Sequence, residues 1–440
     1  MLNKIKQLGH FFIAIFTYYF YGRPARKLIV VGVTGTKGKS TTCRLMASVL
    51  EAAGYKVGLA STVEFQVGEK RWLNKKKMSM LGRGETQKLL RDMVKAGCEY
   101  AVIETSSQGI LQYRHFGLHY DVAVFTNLAN EHVEAHGGFE NLRRDKGKIF
   151  AGLKKEKNKI INGRPIPKII IANADDTNAD YFIKFPADYK WAFSLKDNII
   201  NGVNYNVSGQ LGNTSEKGSD FLVDNVSYHL NIPGDFNVYN GLAGVTLGLS
   251  QGIAVDKIAK GLASVLSVEG RMEYVEAGQN FKVIVDYAHE ALSLTELFKS
   301  LRKMLKENKK LIAVVGSDGG GRDVGKRENM GEIAGKMADY VVITDVNCFD
   351  EDPKEIAEMI AKGARKAGKV DGQNLFIEVD RRKGIEMAIG LAGSGDIVAI
   401  TAKGTEPCIM VGKGKKIPWD DRQVAREILD IRNSKPEINN

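Results

Sequence analysis

Val31-Gly32-Val33-Thr34-Gly35-Thr36-Lys37-Gly38-Lys39-Ser40-Thr41-Thr42 is an apolar run that breaks into a glycine-rich turn and then into a stretch that favours a helix. Gly35 and Gly38 let backbone N–H groups turn toward a phosphate, and the following helix presents its positive end to the same anion. Lys39 neutralises β/γ-phosphate oxygens. Ser40 offers a hydroxyl to Mg2+, a hard cation that takes one or two protein oxygens and completes its shell with phosphate and water. Gly35 to Thr41 therefore read as an ATP-binding loop. The bare G-x-x-G-K-[ST] pattern leaves the use of the nucleotide open, and a glycine turn without nucleotide is the bland alternative.

Composition sets the frame for this loop. A chain of 440 residues exceeds what one hydrophobic core usually organises, so two or three domains are expected, and 43% apolar content is that of an ordinary folded protein. The net charge of +11 raises nucleic acid as a partner. Lys and Arg are spread along the chain without an aromatic–basic platform or helix-turn-helix pattern, which points away from nucleic acid and toward a solvated basic surface or an acidic, phosphorylated substrate. Cys43, Cys98, Cys348 and Cys408 lie far apart with no C-x-x-C pair, so a zinc ribbon or disulfide scaffold is not expected. They read as buried or incidental thiols of a reducing cytoplasm.

Residues 1–27 form a separate aromatic segment. Lys4 and Lys6 precede the run from Phe11 to Tyr21, which is too short to span a bilayer, where roughly 20 apolar residues are needed. No small-residue cleavage site precedes Arg23-Pro24-Ala25-Arg26, so a removable signal peptide is not indicated. Aromatic residues flanked by basic ones suit a membrane interface; a helix packed on the protein body or on a partner is the plainer reading. Residues 1–22 are the part expected to meet a membrane or protein partner.

Beyond the loop, helical and strand-like runs alternate: Leu45 to Ala53 helical, Lys56 to Ser61 extended, Glu85 to Ala96 helical, Tyr100 to Glu104 and Val122 to Thr126 extended. That alternation predicts an α/β fold with a parallel sheet covered by helices, over residues 28–268. Asn201 to Asp220, rich in Asn, Gly and Ser, reads as strands and loops at its margin. A second α/β series follows Val268-Glu269-Gly270-Arg271, with apolar runs at 283–285, 311–315, 340–344 and 397–401, and defines a domain over 269–440.

Glu104 ends a buried-looking strand in Val102-Ile103-Glu104-Thr105-Ser106-Ser107, where ligands of doubly wound sheets gather. The segment Val124 to Gly137 repeats the arrangement and brings Asn127, His132 and His136 to the same edge. Any one of these histidines alone would read as a structural hydrogen-bonder. In company with the phosphate loop, His132 reads as functional.

These residues resemble the ATP-dependent Mur ligases, and within them the branch that adds the third residue of the muramoyl peptide. The resemblance runs from about Leu28 to Leu429 through Gly35 to Thr41, Glu104 to Ser107, Asn127 to Gly137, Asn173-Ala174-Asp175-Asp176, Gly270-Arg271-Met272-Glu273, Asp286-Tyr287-Ala288-His289, Gly321-Arg322-Asp323, Lys326-Arg327 and Asp420-Asp421-Arg422. It implies a P-loop ATPase domain followed by a Rossmann-like C-terminal domain. The implied reaction has a substrate carboxylate attack the γ-phosphate of ATP, and an amine convert the acyl phosphate to an amide. It also implies Mg2+ at the positions of Ser40, Glu104 and His132, a carbamylated lysine at Lys146, an adenine border at Asn237 and Asn240, and nucleotide contacts from Arg271, Asp286 and His289. Unmodified, Lys146 would be a surface cation. Ser106, Gln112 and Arg114 match positions that hold the nucleotide-linked acceptor; Arg322, Asn347 and Glu406 match positions for the incoming amino acid.

Departures from the family pattern concern substrates. Gln108 stands where the family has histidine, and Ser79-Met80-Leu81-Gly82 replaces a Thr-Thr-Pro-Asp-like loop, which points to a different peptide acceptor. Asn347-Cys348-Phe349 lacks the proline and arginine that grip meso-diaminopimelate, so a side-chain carboxylate would lose its bidentate partner. With the loop starting at residue 35, no room remains for the family's UDP-holding domain of roughly 100 residues. Another chain, an acceptor without UDP, or a lipid-linked acceptor with membrane attachment through the N-terminal segment would each account for that. A poly-γ-glutamate or folylpolyglutamate-type ligase and a non-catalytic ATP-binding partner in a wall-synthesis complex are the alternatives to a cytoplasmic wall-peptide ligase.

Overall fold

The structure is a computed structural model that describes residues 2–76, 78–129, 136–155, 157–321 and 324–434, with the side chains of residues 2–8 left aside. The chain divides into two compact units, Met1–Leu266 and Ser267–Asn440.

The first unit begins with helix α1 (Leu2–Phe20) and is built around strand β1 (Ile29–Thr34), which runs into helix α2 (Lys39–Ala52). β1 is a β-branched, nearly continuous apolar run buried on both faces, the pattern of a central parallel strand. Around it stand β2 (Val57–Ala60), β3 (Glu64–Val67), β4 (Lys70–Leu73), β5 (Tyr100–Glu104) and β6 (Val122–Phe125). Helices α3 (Arg83–Lys95) and α4 (Ser107–Leu111) lie between these strands in sequence. A small hairpin, β7 (Ile160–Ile161) and β8 (Arg164–Pro165), precedes β9 (Ile169–Asn173), β10 (Tyr189–Ser194), β11 (Tyr205–Ser215), β12 (Gly218–Val223) and β13 (Val226–Leu230).

Among the described residues the main sheet holds eleven strands in the order β13-β12-β11-β10-β9-β6-β1-β5-β2-β3-β4. From β11 to β2 the pairings are parallel, while β3–β4 and β12–β13 add antiparallel hairpins at the two edges. The sheet is therefore mixed, where the alternation of runs alone predicts a parallel one. Asn201 to Asp220 supplies the long β11 and the start of β12: turn-rich composition there marks a sheet extension whose outer residues face water. On one face, Leu28, Val30, Leu90, Ile103, Phe125, Phe150 and Phe182 form a continuous core. Phe125 stacks on Phe182 at 4.0 Å.

The second unit carries a six-stranded sheet among its described residues: β14 (Glu273–Tyr274), β15 (Lys282–Val285), β16 (Leu311–Val315), β17 (Tyr340–Ile343), β18 (Leu375–Ile377) and β19 (Ile397–Ile400), in the order β14-β15-β19-β16-β17-β18. All pairings except β14–β15 are parallel. Val283, Val285, Ile312, Val314, Val342, Val398 and Ile400 meet Ile385, Ile389, Ile428 and Leu429 of two covering helices. Behind that core, Arg381 and Asp421 form a fully buried ion pair at 2.7 Å, with Arg381 also donating to the Thr401 carbonyl and Trp419 to Asp421. All four cysteines are buried and free.

Candidate active site

The turn between β1 and α2 is shaped by what surrounds it. Gly38 has φ +78°, and a Cβ there would lie 2.3 Å from Asn240 Oδ1; a Cβ on Gly35 would lie 2.0 Å from Thr126 Oγ1. The loop thus needs glycine for room as well as for backbone conformation. Asn127 clamps it: the Lys37 N–H donates to Asn127 Oδ1 at 2.8 Å, Asn127 Nδ2 donates to the Lys37 carbonyl at 3.1 Å, and the Thr36 N–H donates to the Asn127 carbonyl at 2.8 Å. Thr126 Oγ1 donates to the Lys37 carbonyl at 2.9 Å. Gly38 caps α2 without a side chain, so Lys39, Ser40 and Thr41 open the helix with N–H groups aimed at the loop, the arrangement that binds phosphate.

At the floor of this loop lies Glu104, at the C-terminal end of β5 and 2% exposed. Its carboxylate accepts from Ser40 Oγ at 2.7 Å, from the Thr62 N–H at 2.7 Å and from Thr62 Oγ1 at 2.8 Å. β1 and β5 are neighbours in register, Val33 opposite Glu104, which is why a serine one turn beyond one strand meets a carboxylate at the end of the other. The hydroxyl and carboxylate are hard oxygens set beside a phosphate loop, a donor set that fits Mg2+, which takes few protein ligands and keeps waters and phosphate oxygens. Cys43, one turn further along α2, is inert in this setting: burial first and Glu104 second push its thiol well above the usual range.

Lys146 is not a surface cation. It is 4% exposed on the helix Phe139–Gly152, and its ammonium donates to the Gly35 carbonyl at 2.7 Å. That helix is anchored at its start by His136, whose Nδ1 lies 2.7 Å from Asp145 Oδ2 while its buried Nε2 has no hydrogen-bond partner among the described residues. Burial opposes the charge on Asp145, but hydrogen bonds from His136 and Lys148 outweigh it and hold the carboxyl below its usual range. His136 therefore serves the helix bearing Lys146. His132 lies outside the described residues.

Asn237 and Asn240 stand on the helix Asp235–Ser250. Asn240 Oδ1 accepts from Thr42 Oγ1 at 3.0 Å, its Nδ2 donates to Asn237 Oδ1 at 2.9 Å, and Asn237 Nδ2 donates to the Pro233 carbonyl at 2.8 Å. The pair links that helix to α2 just under the glycine turn. Asp175 adds a hub, accepting from Tyr239 Oη at 2.9 Å, the Leu195 N–H at 2.8 Å and Ser194 Oγ at 2.5 Å.

Ser106 caps α4, accepting from the Gly109 N–H at 3.2 Å, and Gln112 closes the same helix. Arg114 donates to the Met80 carbonyl, tying it to the Ser79-Met80-Leu81 loop, while its buried Nε has no partner among the described residues. Ser79, Met80 and Leu81 line one pocket with Thr86, Ile103 and Glu104, so the loop that departs from the family pattern faces the carboxylate.

In the second unit, Arg271 lies over the Tyr287 ring at 4.3 Å; Asp286 accepts from the Met272 and Ala288 N–H groups at 2.8 and 2.7 Å. His289 Nδ1 lies 2.8 Å from the Tyr287 carbonyl. These three side chains hold one turn at the end of β15. Asn347 is committed to protein: its Nδ2 donates to Asp318 Oδ1 at 2.7 Å and Glu406 Oε2 at 3.1 Å, and its Oδ1 accepts from the Met410 N–H at 2.9 Å and Lys403 Nζ at 3.2 Å. Lys403, fully buried, also donates to Glu406 Oε2 at 3.0 Å. Arg322 lies outside the described residues.

Thr62 and Lys403 escaped the sequence reading. Each is a single polar residue in an unremarkable loop whose partner lies about 40 or 60 residues away in sequence or across a turn, and no spacing signals it.

Comparison with known proteins is consistent along the chain. Residues 33–248 match the Mur ligase middle domain, and residues 270–404 match the model described as Mur ligase, glutamate ligase domain. A UDP-N-acetylmuramyl-tripeptide synthetase of Roseiflexus sp. (strain RS-1) is 38% identical over 420 residues, covering 93% of this chain and 80% of the relative. A UDP-N-acetylmuramoyl-L-alanyl-D-glutamate--2,6-diaminopimelate ligase of Geobacillus kaustophilus (strain HTA426) is 36% identical over 425 residues, covering 96% and 82%. Among solved structures, a UDP-N-acetylmuramoyl-L-alanyl-D-glutamate--2,6-diaminopimelate ligase aligns with TM-score 0.59 at 28% identity over 93% of this chain and 79% of its own. The Mycobacterium tuberculosis folylpolyglutamate synthase aligns with TM-score 0.63 at 15% identity over 88% and 91%, a likeness of fold alone.

Proposed function

The chain belongs to the Mur ligase family, and from that premise we propose that the cluster of the Gly35–Thr41 turn, Glu104 and Lys146 is where it activates a carboxylate with ATP. The protein is an ATP-dependent, ADP-forming ligase that joins a carboxylic acid to an amino acid amine, and its substrates are small molecules. In that reaction an acceptor carboxylate attacks the γ-phosphorus, the bond to the β,γ-bridging oxygen breaks, and ADP leaves. The amine then attacks the acyl phosphate, loses a proton, and releases phosphate as the amide forms.

The observation that carries the site assignment is the Ser40–Glu104–Thr62 cluster under a phosphate loop with Lys146 reaching the Gly35 carbonyl. Two anions must meet there, and Lys39, at the start of α2, offsets their repulsion. Mg2+ held by Ser40 and Glu104, with His132, would supply further charge neutralisation and polarise the γ-phosphoryl group. Lys146 in carbamylated form would add a carboxylate to that set; carbon-13 bicarbonate would then give a carbamate resonance that Lys146→Ala lacks. Asn237 and Asn240 border the adenine by the family resemblance, which also gives Arg271, Asp286 and His289 of the second unit as nucleotide-contacting groups.

The acceptor is an acidic peptide, of muramoyl-dipeptide type by the names of the relatives, held by Ser106, Gln112 and Arg114; Arg322 and Glu406 frame the amine substrate, with Asn347 acting through its hydrogen bond to Glu406. Loss of the arginine at the position after Asn347-Cys348 argues for an amino acid other than meso-diaminopimelate. The reaction is placed in the cytoplasm, with residues 1–22 as a contact surface for a membrane or protein partner. ATP-dependent phosphate release, measured with UDP-muramoyl dipeptide and with free glutamate, each crossed with candidate amino acids and with Lys39→Ala as control, tests the reading. Release that needs the muramoyl peptide and one amino acid supports it. Release with glutamate alone moves the assignment to polyglutamate-type ligation, and no release with any pair refutes both.

A further inference from the structure

Helix α1 divides cleanly into two faces. On one, Ala14 and Tyr18 are buried, Phe11 meets Tyr113 and Phe116 edge-on at 5.3 and 5.6 Å, and the Tyr18 hydroxyl lies 2.8 Å from His119 Nε2 and accepts from Arg26 Nε at 3.1 Å. Thr17 packs over Gly84 at the start of α3. On the other face, Phe12, Ile13, Phe16, Tyr19 and Phe20 recur at helical spacing and are 51–67% exposed, with Phe16 and Phe20 stacked at 5.7 Å. The helix is thus held in place by its aromatic inner face, and its outer aromatic face has no role in holding it.

Charge on the segment itself is one-sided: residues 1–27 contain Lys4, Lys6, Arg23, Arg26 and Lys27 and no carboxylate, and α3, whose Gly84 lies under Thr17, adds Arg83, Lys88, Arg91 and Lys95 against Glu85 and Asp92. Among the described residues no helix is long and apolar enough to cross a membrane. A short helix with one exposed aromatic face, basic residues at both ends and no acid suits the plane of an anionic lipid surface, where aromatic rings sit at headgroup depth and Lys and Arg meet phosphate. A second copy of the chain would bring the same positive charge against itself.

We propose that α1 is an interfacial anchor that seats this unit on an anionic bilayer through Phe12, Ile13, Phe16, Tyr19 and Phe20. The proposal rests on the reading of residues 1–22 as a contact surface and commits it to lipid. Its consequence is positional: the segment Tyr113–His119 that grips α1 also carries Arg114 and follows Gln112, so the acceptor side of the unit is held near the lipid surface.

Flotation of the full chain with vesicles of phosphatidylglycerol or of phosphatidylcholine tests this, beside the variant Phe12→Ser, Phe16→Ser, Tyr19→Ser. The full chain should float with the anionic vesicles, should not with the neutral ones, and should detach as salt rises; the variant should bind at least about tenfold more weakly. Its denaturation midpoint and ATP-dependent phosphate release should match those of the parent, so a misfolded variant is recognised. Absence of flotation, equal flotation on neutral lipid, undiminished binding by the variant, or a dimer that the three substitutions dissolve without vesicle binding would each overturn the proposal. Phosphate release reads the ligase and flotation reads the anchor, so either can fail alone.

Discussion

Replacing Gly38 with alanine isolates the geometry of the phosphate loop. The residue sits at φ +78°, where an L side chain costs about 1–2 kcal/mol, and the new Cβ would lie 2.3 Å from Asn240 Oδ1. Asn240 cannot simply swing away, because it accepts from Thr42 Oγ1 and donates to Asn237 Oδ1. Displacing such a side chain adds about 1–3 kcal/mol. The alanine restricts the unfolded chain and returns about 0.4–1 kcal/mol, leaving a net loss of about 1–4.6 kcal/mol. Urea denaturation should show that loss, and calorimetry should show ATP affinity falling by about tenfold or more. Asn240→Ala removes the clash but strands Thr42 Oγ1, costing about 1–3 kcal/mol alone. The double variant should therefore be less destabilised than the sum of the singles by about 1–3 kcal/mol. Additivity within about 0.5 kcal/mol, or a Gly38→Ala protein with unchanged midpoint and ATP affinity, would refute the account of why this loop needs glycine.

Glu104→Gln keeps one acceptor oxygen for Ser40 Oγ and the Thr62 N–H and turns the other contact round, its Nε2 donating to Thr62 Oγ1, but removes the negative charge beside Ser40; phosphate release should fall by about a hundredfold or more and lose its response to added Mg2+, whereas an unaltered Mg2+ titration would argue against Glu104 as a metal ligand. His115 is half-buried, its buried Nδ1 has no hydrogen-bond partner among the described residues, and desolvation, with Lys148 adding to it, lowers its pKa to about 4. The unfolded chain, near 6.5, binds the proton first, so this group's contribution is intact above about pH 6.5 and is lost as pH falls toward 4, about 2 kcal/mol by about pH 5. Denaturation midpoints of His115→Gln should show that much less acid sensitivity over the same interval; an equal slope would sink the assignment. Arg381→Leu leaves Asp421 buried without its partner and should cost about 3–5 kcal/mol by urea denaturation, while the Arg381→Leu, Asp421→Leu double should cost less than the two singles together.

The legible parts of the fold are those whose signal is local. β1 and α2 follow from one apolar run, two glycines and a helix-favouring stretch, and the apolar runs at 283–285, 311–315, 340–344 and 397–401 coincide with strands 282–285, 311–315, 340–343 and 397–400 of the second unit. The short strand Leu375–Ile377 was missed because three residues at a sheet edge carry too little period to register. Asn201 to Asp220 reads as strands and loops at the domain margin, as found, but the antiparallel direction of that edge does not show in sequence, because its glycines and asparagines blur the polar–apolar alternation of a half-exposed hairpin. At the site, Glu104 and Ser40 were visible as residue types at strand and helix ends. Lys146 was visible only through family resemblance, and its burial against the Gly35 carbonyl has no counterpart in its sequence neighbourhood of charged residues.

Sequence alone determined the chemistry on offer: a phosphate loop, a carboxylate at the end of the next parallel strand, an α/β series in each half, and a first acid as late as Glu51. These are properties of residue order and composition, which local conformation translates directly. Tertiary structure decided which groups meet. Thr62 reaches Glu104 across 42 residues, Lys146 reaches Gly35 across 111, Asn240 reaches Thr42 across 198, and α1 turns one aromatic face inward and the other out. The physical reason is that hydrogen bonds and packing act over a few ångströms of space, while the order of strands in a sheet sets which distant residues come within that range.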